Sequence, residues 1–296
     1  AYTFVLSRQH EYEADAAASR IAGVAPNGGG LIRGELLGRW ITEEFWPPLY
    51  GQADEREQPR FFPYAAMRSA FAAGHAQWAT KERLADALKQ DSGVEDTHPC
   101  LRERILACAH ARVAEGGFAS LTMQALAEDA GVATGSLYRH FSGKGELAAE
   151  VFSNACRIEV EALAAVLRGP GSASQRLAAG LEQFAARAWH SRRLAFALIA
   201  EPVEPEVDEQ RLLFREAYAE LFVDLLDEGV RGGEFRVEQV SLVAACLVGA
   251  IAEALVGPLS PPARAARDAG LPAADLASVS QALITFCLRA VGAPES

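Results

Sequence analysis

The chain has 296 residues and a formal net charge of −11; half of its residues are hydrophobic and 23% are charged. This length is sufficient for two domains with buried cores, and the composition is that of a folded protein rather than a disordered one. The negative charge argues against binding nucleic acid through bulk charge, but it leaves room for a local DNA-contacting face.

The cysteines and the apolar segments favour a cytoplasmic protein. The five cysteines include no CxxC pair, which favours reduced thiols in a cytoplasmic protein over a disulfide scaffold or a structural zinc site. The most apolar run, residues 242–252, is too short to span a bilayer. No signal peptide is recognisable, and we expect a cytoplasmic protein without membrane contact. The chain begins with Ala1, so we expect its N-terminus to be incomplete.

Changes in composition divide the chain into three predicted domains. Residues 1–99 are rich in Trp, Pro and Gly, residues 100–153 are compact with short turns, and residues 154–296 form long apolar segments separated by breakers. No alternating apolar pattern of strand length is present, so the predicted class is all-α. We expect a three-helix DNA-binding domain followed by a helical bundle, with an extra, mostly helical segment before them.

The middle domain begins with two predicted helices. Ile105, Ala109 and Val113 recur at steps of four and therefore share one helical face, which ends at the glycine pair after residue 115. Thr122 is the predicted N-cap of the second helix, which ends at Gly131.

A third predicted helix of about two turns follows the Gly131-Val132 corner. Two helices joined by a tight glycine turn, the second short and polar outside, are typical of the helix-turn-helix. Its second helix needs small polar side chains near its start because its backbone enters the major groove, while larger side chains contact phosphates. The predicted DNA-contacting residues are Thr122, Gln124, Thr134, Gly135, Ser136, Tyr138, Arg139, His140 and Lys144.

Other residues of this region are predicted to be core. For Tyr138 and His140, the alternative to DNA contact is that they are partly buried aromatic residues of a small helical domain. A fourth helix is predicted to start after Ser142 and to carry Lys144, Leu147 and Val151. The predicted core residues around the corner are Leu126, Val132, Leu137 and Phe141.

The stretch RERILACAHARVAEGGFASLTMQALAEDAGVATGSLYRHFSGKGEL resembles the DNA-binding domain of TetR-family transcriptional regulators along its full length. The resemblance implies a homodimeric regulator, usually a repressor, whose helical C-terminal domain binds a small effector and forms the dimer. Ala133 departs from a common capping Ser, and Gly145 replaces a helix-favouring residue at a cost of about 1 kcal/mol. Residues 101–152 carry five basic against six acidic side chains. We therefore expect modest, salt-sensitive DNA binding.

The C-terminal domain is predicted to contain five helices, with a reversal at the RGGEF segment of residues 231–235. The last two are the most uniformly apolar and must be buried on more than one side. The resemblance implies that they form a four-helix dimer interface; the alternative is a purely internal core. The predicted helices cover residues 175–190, 194–200, 206–226, 237–256 and 274–290.

Aromatic residues on the helices before that pair are candidate walls of an effector pocket. Simple core packing is the alternative, because aromatic residues at helical spacing are common in cores. No cofactor and no metal site are predicted, and the effector itself is not identified. The candidate pocket residues are Trp189, Phe196, Phe214, Tyr218 and Phe222.

The segment SRQHEYEADAAA, residues 7–18, resembles the segment that supplies the third zinc ligand in zinc peptidases of the HtpX and CAAX-prenyl-endopeptidase type. The resemblance implies Glu11 as the ligand and Asp15 as its partner, and THPCLRERI at residues 97–105 resembles the end of that domain. The chemistry needs an HExxH helix, which none of the six histidines forms. We therefore predict a truncated, inactive peptidase-like segment that packs poorly on the regulator.

Three functions are thus weighed. The first is a TetR-type DNA-binding regulator that responds to a small effector. The second is an inactive remnant of a zinc metallopeptidase. The third is an interaction protein that dimerises through its apolar C-terminal helices without DNA affinity.

Overall fold

A computed structural model describes residues 101–130, 134–138 and 141–293. Before them it describes residues 36–52, 63–78 and a few single positions: 14, 17, 18, 21, 30, 33, 34, 80, 82, 83 and 86. The regular structure of these residues is helical and includes no strand, which confirms the all-α class. The chain divides into two compact units, Ala1–Ala111 with Leu121–Lys144, and Arg112–Ser120 with Gly145–Ser296.

The first part of the first unit contains a small aromatic cluster. A π-helical turn, Ile41–Phe45, leads into α1 (Trp46–Tyr50), and α2 spans Pro63–Trp78. The Trp40 ring centroid lies 5.9 Å from that of Phe45 and 5.9 Å from that of Phe71. Trp40 and Phe45 are buried. The poor packing expected of this segment on the regulator stays a prediction.

The helix-turn-helix region follows as α3 (Leu101–Gly116), α4 (Met123–Ala130) and α5 (Thr134–Leu137). The spacing of its apolar residues is reflected in burial, because the predicted inward positions are nearly inaccessible to solvent. Val132 lies outside the described residues. The predicted inward residues that are buried are Ile105, Ala109, Val113, Leu126, Leu137 and Phe141. Leu147 and Val151, which the sequence places on the fourth helix, are also buried.

The second unit is a bundle of long helices. The first helix of this unit, Lys144–Leu167, continues without a break through residues 153 and 154, between which the sequence predicts a domain boundary. A 3₁₀ turn, Phe118–Ser120, also belongs to this unit. The helices are α6 (Lys144–Leu167), α7 (Ala173–His190), α8 (Arg192–Ala200), α9 (Pro205–Arg231), α10 (Val240–Leu259), α11 (Pro261–Asp268) and α12 (Leu276–Ala290).

The core of the second unit lies between α7, α9, α10 and α12. α9 packs along α10, and α7 packs along α12. The predicted reversal at residues 231–235 is present, since the backbone amides of Glu234 and Phe235 both donate to the carbonyl oxygen of Gly229. Side chains that are almost completely buried include Leu177, Leu181, Phe222, Leu226, Leu255 and Cys287.

One helix of this unit was not predicted. The GPLSPP segment, residues 257–262, is predicted from its composition to separate two helices, but α10 continues to Leu259 and α11 begins at Pro261. Only Ser260 separates the two helices, and its hydroxyl accepts a hydrogen bond from the Ala263 amide. The two prolines occupy the first positions of α11, where a missing N–H costs nothing. Ser-Pro-Pro here therefore starts a helix.

The expectation about membrane-spanning length is also corrected. α10 has 20 residues and, by length and composition alone, is long and apolar enough to cross a membrane. Its side chains at Ala244, Leu247, Ile251 and Leu255 are buried in the core of the second unit.

Candidate DNA-binding face and effector cavity

The predicted DNA-contacting residues lie on and around α4 and α5 of the first unit. Thr122 caps α4 as predicted, because its hydroxyl oxygen accepts a hydrogen bond from the Ala125 amide at 3.1 Å. Gln124 is exposed, and its amide donates to the Glu128 carboxylate at 2.9 Å. The side chain of Gln124 is therefore accessible to a ligand in the first turn of α4.

At the end of α5, a buried residue is followed directly by an exposed one. Tyr138 is 53% exposed, whereas Leu137 beside it is completely buried. This exposure disfavours the alternative of a partly buried core tyrosine at position 138. Thr134, at the start of α5, is partly buried. Contact of these side chains with DNA stays a prediction.

The remaining predicted DNA contacts are only partly described. Gly135 and Ser136 belong to α5, and Lys144 is partly buried at the first position of α6. Arg139 and His140 lie outside the described residues. Ala133, where the resemblance implies a different cap, also lies outside them.

Gly145, the second departure from the family pattern, has a structural explanation within the second unit. It is buried in the first turn of α6, and an added Cβ would lie 2.3 Å from a carboxylate oxygen of Glu206. A side chain at this position would displace that carboxylate, which is the end of an exposed and flexible side chain. The glycine therefore permits this close approach of Glu206.

A cavity of about 130 Å³ lies within the second unit, among α6, α7, α8, α9 and α10. Three of the five predicted pocket residues, Phe214, Tyr218 and Phe222, line it. The ring of Tyr218 packs edge-on against Phe184, with centroids 5.8 Å apart. The wall is therefore largely aromatic and aliphatic, as in most small-molecule sites.

Trp189 and Phe196, the other two predicted pocket residues, are not among the residues that line this cavity. Instead, the guanidinium carbon of Arg267 lies 5.1 Å from the Trp189 ring centroid, and that of Arg264 lies 5.9 Å from the Phe196 ring centroid. Both arginines belong to α11, the helix that the sequence analysis missed. The two rings thus make cation–π contacts with α11.

The cavity also has charged side chains, which are not among the residues predicted from the sequence. Arg187 forms a bidentate ion pair with Glu159, at 2.6 and 2.7 Å. Arg211 and Arg215 also line the cavity. The signal was available, because residues 211, 215, 218 and 222 recur at steps of three and four on α9 and so share the face of the predicted aromatic residues.

Two further polar groups of the cavity stay uncharged. Burial raises the pKa of the Cys156 thiol to about 12, with a smaller contribution from Glu159. Burial also raises the pKa of Tyr218 above its ordinary value. Among the described residues, the Tyr218 hydroxyl has no hydrogen-bond partner. It is therefore a donor that faces the cavity without an acceptor.

Comparison with protein families identifies two segments. Residues 105–151 match the model of bacterial regulatory proteins of the tetR family, and residues 170–255 match the model of a tetracyclin repressor-like C-terminal domain. The two matches follow one another in the order that a TetR-type regulator requires.

Neither match includes residues 1–99, and the resemblance to zinc peptidases has no support from these comparisons. Glu11 and Asp15 lie outside the described residues. Within the described part of the chain, no group of three or more His, Cys, Asp or Glu side chains is placed to hold a metal ion.

Several solved structures share the fold. Bacillus subtilis FadR, determined in complex with stearoyl-CoA, has a TM-score of 0.53 at 20% identity and covers 64% of this chain and 99% of its own. A TetR-family regulator from Pectobacterium atrosepticum has a TM-score of 0.52 at 22% identity, with 66% and 95% covered. Reduced Escherichia coli NemR has a TM-score of 0.51 at 17% identity, with 66% and 99% covered.

The chain matches no curated protein sequence. The two family matches together account for the helix-turn-helix and for most of the helices around the cavity. Residues 105–151 and 170–255 therefore match the two parts of a TetR-type regulator of transcription, in the order in which they occur in that family.

Proposed function

We propose that the chain is a cytoplasmic, homodimeric repressor that binds a near-palindromic operator and responds to a small, largely apolar effector in the cavity of its second unit. One observation carries the DNA-binding part. Gln124 and Tyr138 are exposed on a helix-turn-helix whose Leu126 and Leu137 are completely buried.

The proposed DNA contacts divide by chemistry. Gln124 has an amide that can donate to and accept from a base edge in the major groove. Thr134, Gly135 and Ser136 are small enough for α5 to approach the bases closely. Tyr138, His140 and Lys144 suit phosphate oxygens, as does Thr122 at the start of α4. Arg139 suits either a phosphate or a base edge.

Exposed apolar side chains on α10 and α12 support the proposed dimer. Leu242 is 59% exposed on α10, and Phe286 is 60% exposed on α12. The two helices pack against each other in the second unit, so these faces are available to a partner. A symmetric interface would bury the same face of each copy. The alternative of a purely internal core does not account for the exposure of Phe286.

The cavity supports an effector with an apolar body. Its aromatic and aliphatic walls would bury such a molecule, and burial of apolar surface is the main favourable term in binding. The FadR structure of the same fold contains stearoyl-CoA, whose acyl chain is apolar. A fold of this kind can therefore accommodate an apolar ligand, which supports the proposed effector of this chain.

DNA binding is tested by selecting duplexes from a random-sequence library and measuring affinity by fluorescence anisotropy at several salt concentrations. We expect a palindromic site with half-sites about one helical turn apart. The double variant Tyr138→Ala/Lys144→Ala should bind this site at least about tenfold more weakly. The slope of log affinity against log salt concentration should decrease by about one, as expected for the loss of one phosphate contact.

A matched control is available on α2, where Tyr64 and Arg68 are an exposed tyrosine and an exposed cation in the same unit. The double variant Tyr64→Ala/Arg68→Ala should retain wild-type affinity. No preference for any duplex over random DNA, in a correctly folded dimer, would contradict the proposal. That outcome would favour an interaction protein that dimerises without DNA affinity.

A further inference from the structure

The cavity of the second unit holds more positive than negative charge. Its charged lining consists of Arg187, Arg211 and Arg215 with a single carboxylate, that of Glu159. The whole chain, in contrast, has a formal net charge of −11. A local excess of one sign in a cleft with apolar walls concentrates ligands of the opposite sign.

Two of these three arginines already have partners within the protein. Arg187 is neutralised by the bidentate ion pair with Glu159. Arg211 forms an ion pair with Asp208 at 2.9 Å. It also donates to the carbonyl oxygens at the end of α8, including that of Glu201 at 2.7 Å. Both guanidinium groups therefore stabilise the wall.

Arg215 differs from them. It lines the cavity and is exposed, so it lies where the cavity opens to solvent. Among the residues that the structure describes, it has neither an ion-pair partner nor a hydrogen-bond partner. It is one helical turn from Arg211 and shares the face of α9 that carries Tyr218. Its donors can therefore pair with a group that reaches the cavity mouth.

We infer that the effector is an amphipathic anion whose carboxylate or phosphate pairs with Arg215 while its apolar body fills the cavity. This inference rests on the proposed function and names the chemical class of its effector. The Tyr218 hydroxyl, which lacks an acceptor, donates a second hydrogen bond to the ligand. A guanidinium is well suited to both anions, since its parallel N–H groups match two oxygens at once.

The size of the cavity defines the probes. A volume of about 130 Å³ is slightly smaller than that of a cavity of about 150 Å³ that binds benzene, so it suits an apolar body of about six carbon atoms. Hexanoate, hexyl phosphate and 1-hexanol share one apolar chain of this size and differ only in the end group. The first two distinguish a carboxylate from a phosphate, and the alcohol reports the contribution of the apolar body alone.

Affinities of the full chain for these three probes are measured by isothermal titration calorimetry, together with those of the Arg215→Gln variant. We expect the better of the two anions to bind about tenfold more tightly than 1-hexanol. In Arg215→Gln, this advantage should disappear. Arg231→Gln, which removes an exposed cation from the same helix but outside the cavity, should retain it.

The outcomes separate this inference from the proposed function. If 1-hexanol binds as tightly as both anions, or if Arg215→Gln retains the preference for an anion, the inference is wrong while the proposal of an apolar effector stands. If none of the probes binds, the inference and the effector cavity both fail. DNA binding in the absence of effector is measured separately, so its loss would instead contradict the proposed regulator.

Discussion

Gly117 and Glu201 define the backbone at the end of α3. Gly117 has a φ of +73°, and a Cβ added there would lie 2.4 Å from a carboxylate oxygen of Glu201. That carboxylate accepts hydrogen bonds from the amides of Phe118 at 3.0 Å and Ala119 at 3.3 Å. These amides begin the 3₁₀ turn, where they have no partner within the helix. The glycine is therefore needed both for its dihedral angle and for the space that it leaves.

Replacement of Gly117 by Ala should therefore destabilise the protein for two reasons. The positive φ costs about 1 kcal/mol for a residue with a Cβ, and displacement of the Glu201 carboxylate costs about 1 kcal/mol more. Gly233→Ala is the matched control, because Gly233 has a φ of +75° but no atom within 4 Å of an added Cβ. We expect urea unfolding to show a larger decrease in the free energy of unfolding for Gly117→Ala than for Gly233→Ala. Equal losses would contradict the role of the Glu201 carboxylate.

At the scale of elements, the start of α7 is stabilised from two directions. Ser172 and Gln175 form a capping box, in which each side chain bonds to the other residue's backbone. The carboxylate of Glu234, from the reversal after α9, accepts hydrogen bonds from the amides of Ala173 and Ser174, each at 3.0 Å. These bonds lower the pKa of Glu234 to about 2. A reversal distant in sequence thus caps this helix.

The pKa of Glu234 predicts an acid-sensitive contribution to stability. Because the pKa is lowered in the folded protein from 4.5 to about 2, the contribution is complete above about pH 4.5 and is lost as the pH falls towards 2. Glu234→Gln should lower the melting temperature at neutral pH, and the difference from wild type should shrink below about pH 4.5. Thermal unfolding followed by circular dichroism, at pH values from neutral to acidic, measures this difference in melting temperature. Glu238→Gln, an exposed acid in the same segment, is the control and should show no such trend.

At the scale of the whole molecule, the exposed faces of α10 and α12 determine the expected assembly. Phe286→Glu should dissociate the proposed dimer, because a charge at its centre would be buried without a partner. Sedimentation velocity should then show a monomer, and operator affinity should fall since one copy contacts only one half-site. Leu212→Glu on α9 is the control: Leu212 is 61% exposed and does not line the cavity. A dimer that survives Phe286→Glu would place the interface elsewhere.

The sequence by itself determined the helical class, the position of the helix-turn-helix and its inward residues. Helical spacing and turn chemistry are local, so Leu126, Leu137 and Phe141 could be recognised as core within a few turns of their neighbours. The Thr122 cap and the reversal before Phe235 were predictable for the same reason.

Tertiary structure decided which aromatic residues face the cavity. Trp189 and Phe214 were equivalent candidates in the sequence, but only Phe214 lines the cavity, because an arginine from α11 covers Trp189. The isolated charge of Arg215 also became visible only once the partners of Arg187 and Arg211 were known. Such assignments depend on contacts between helices far apart in the chain, and periodicity within one helix carries no information about them.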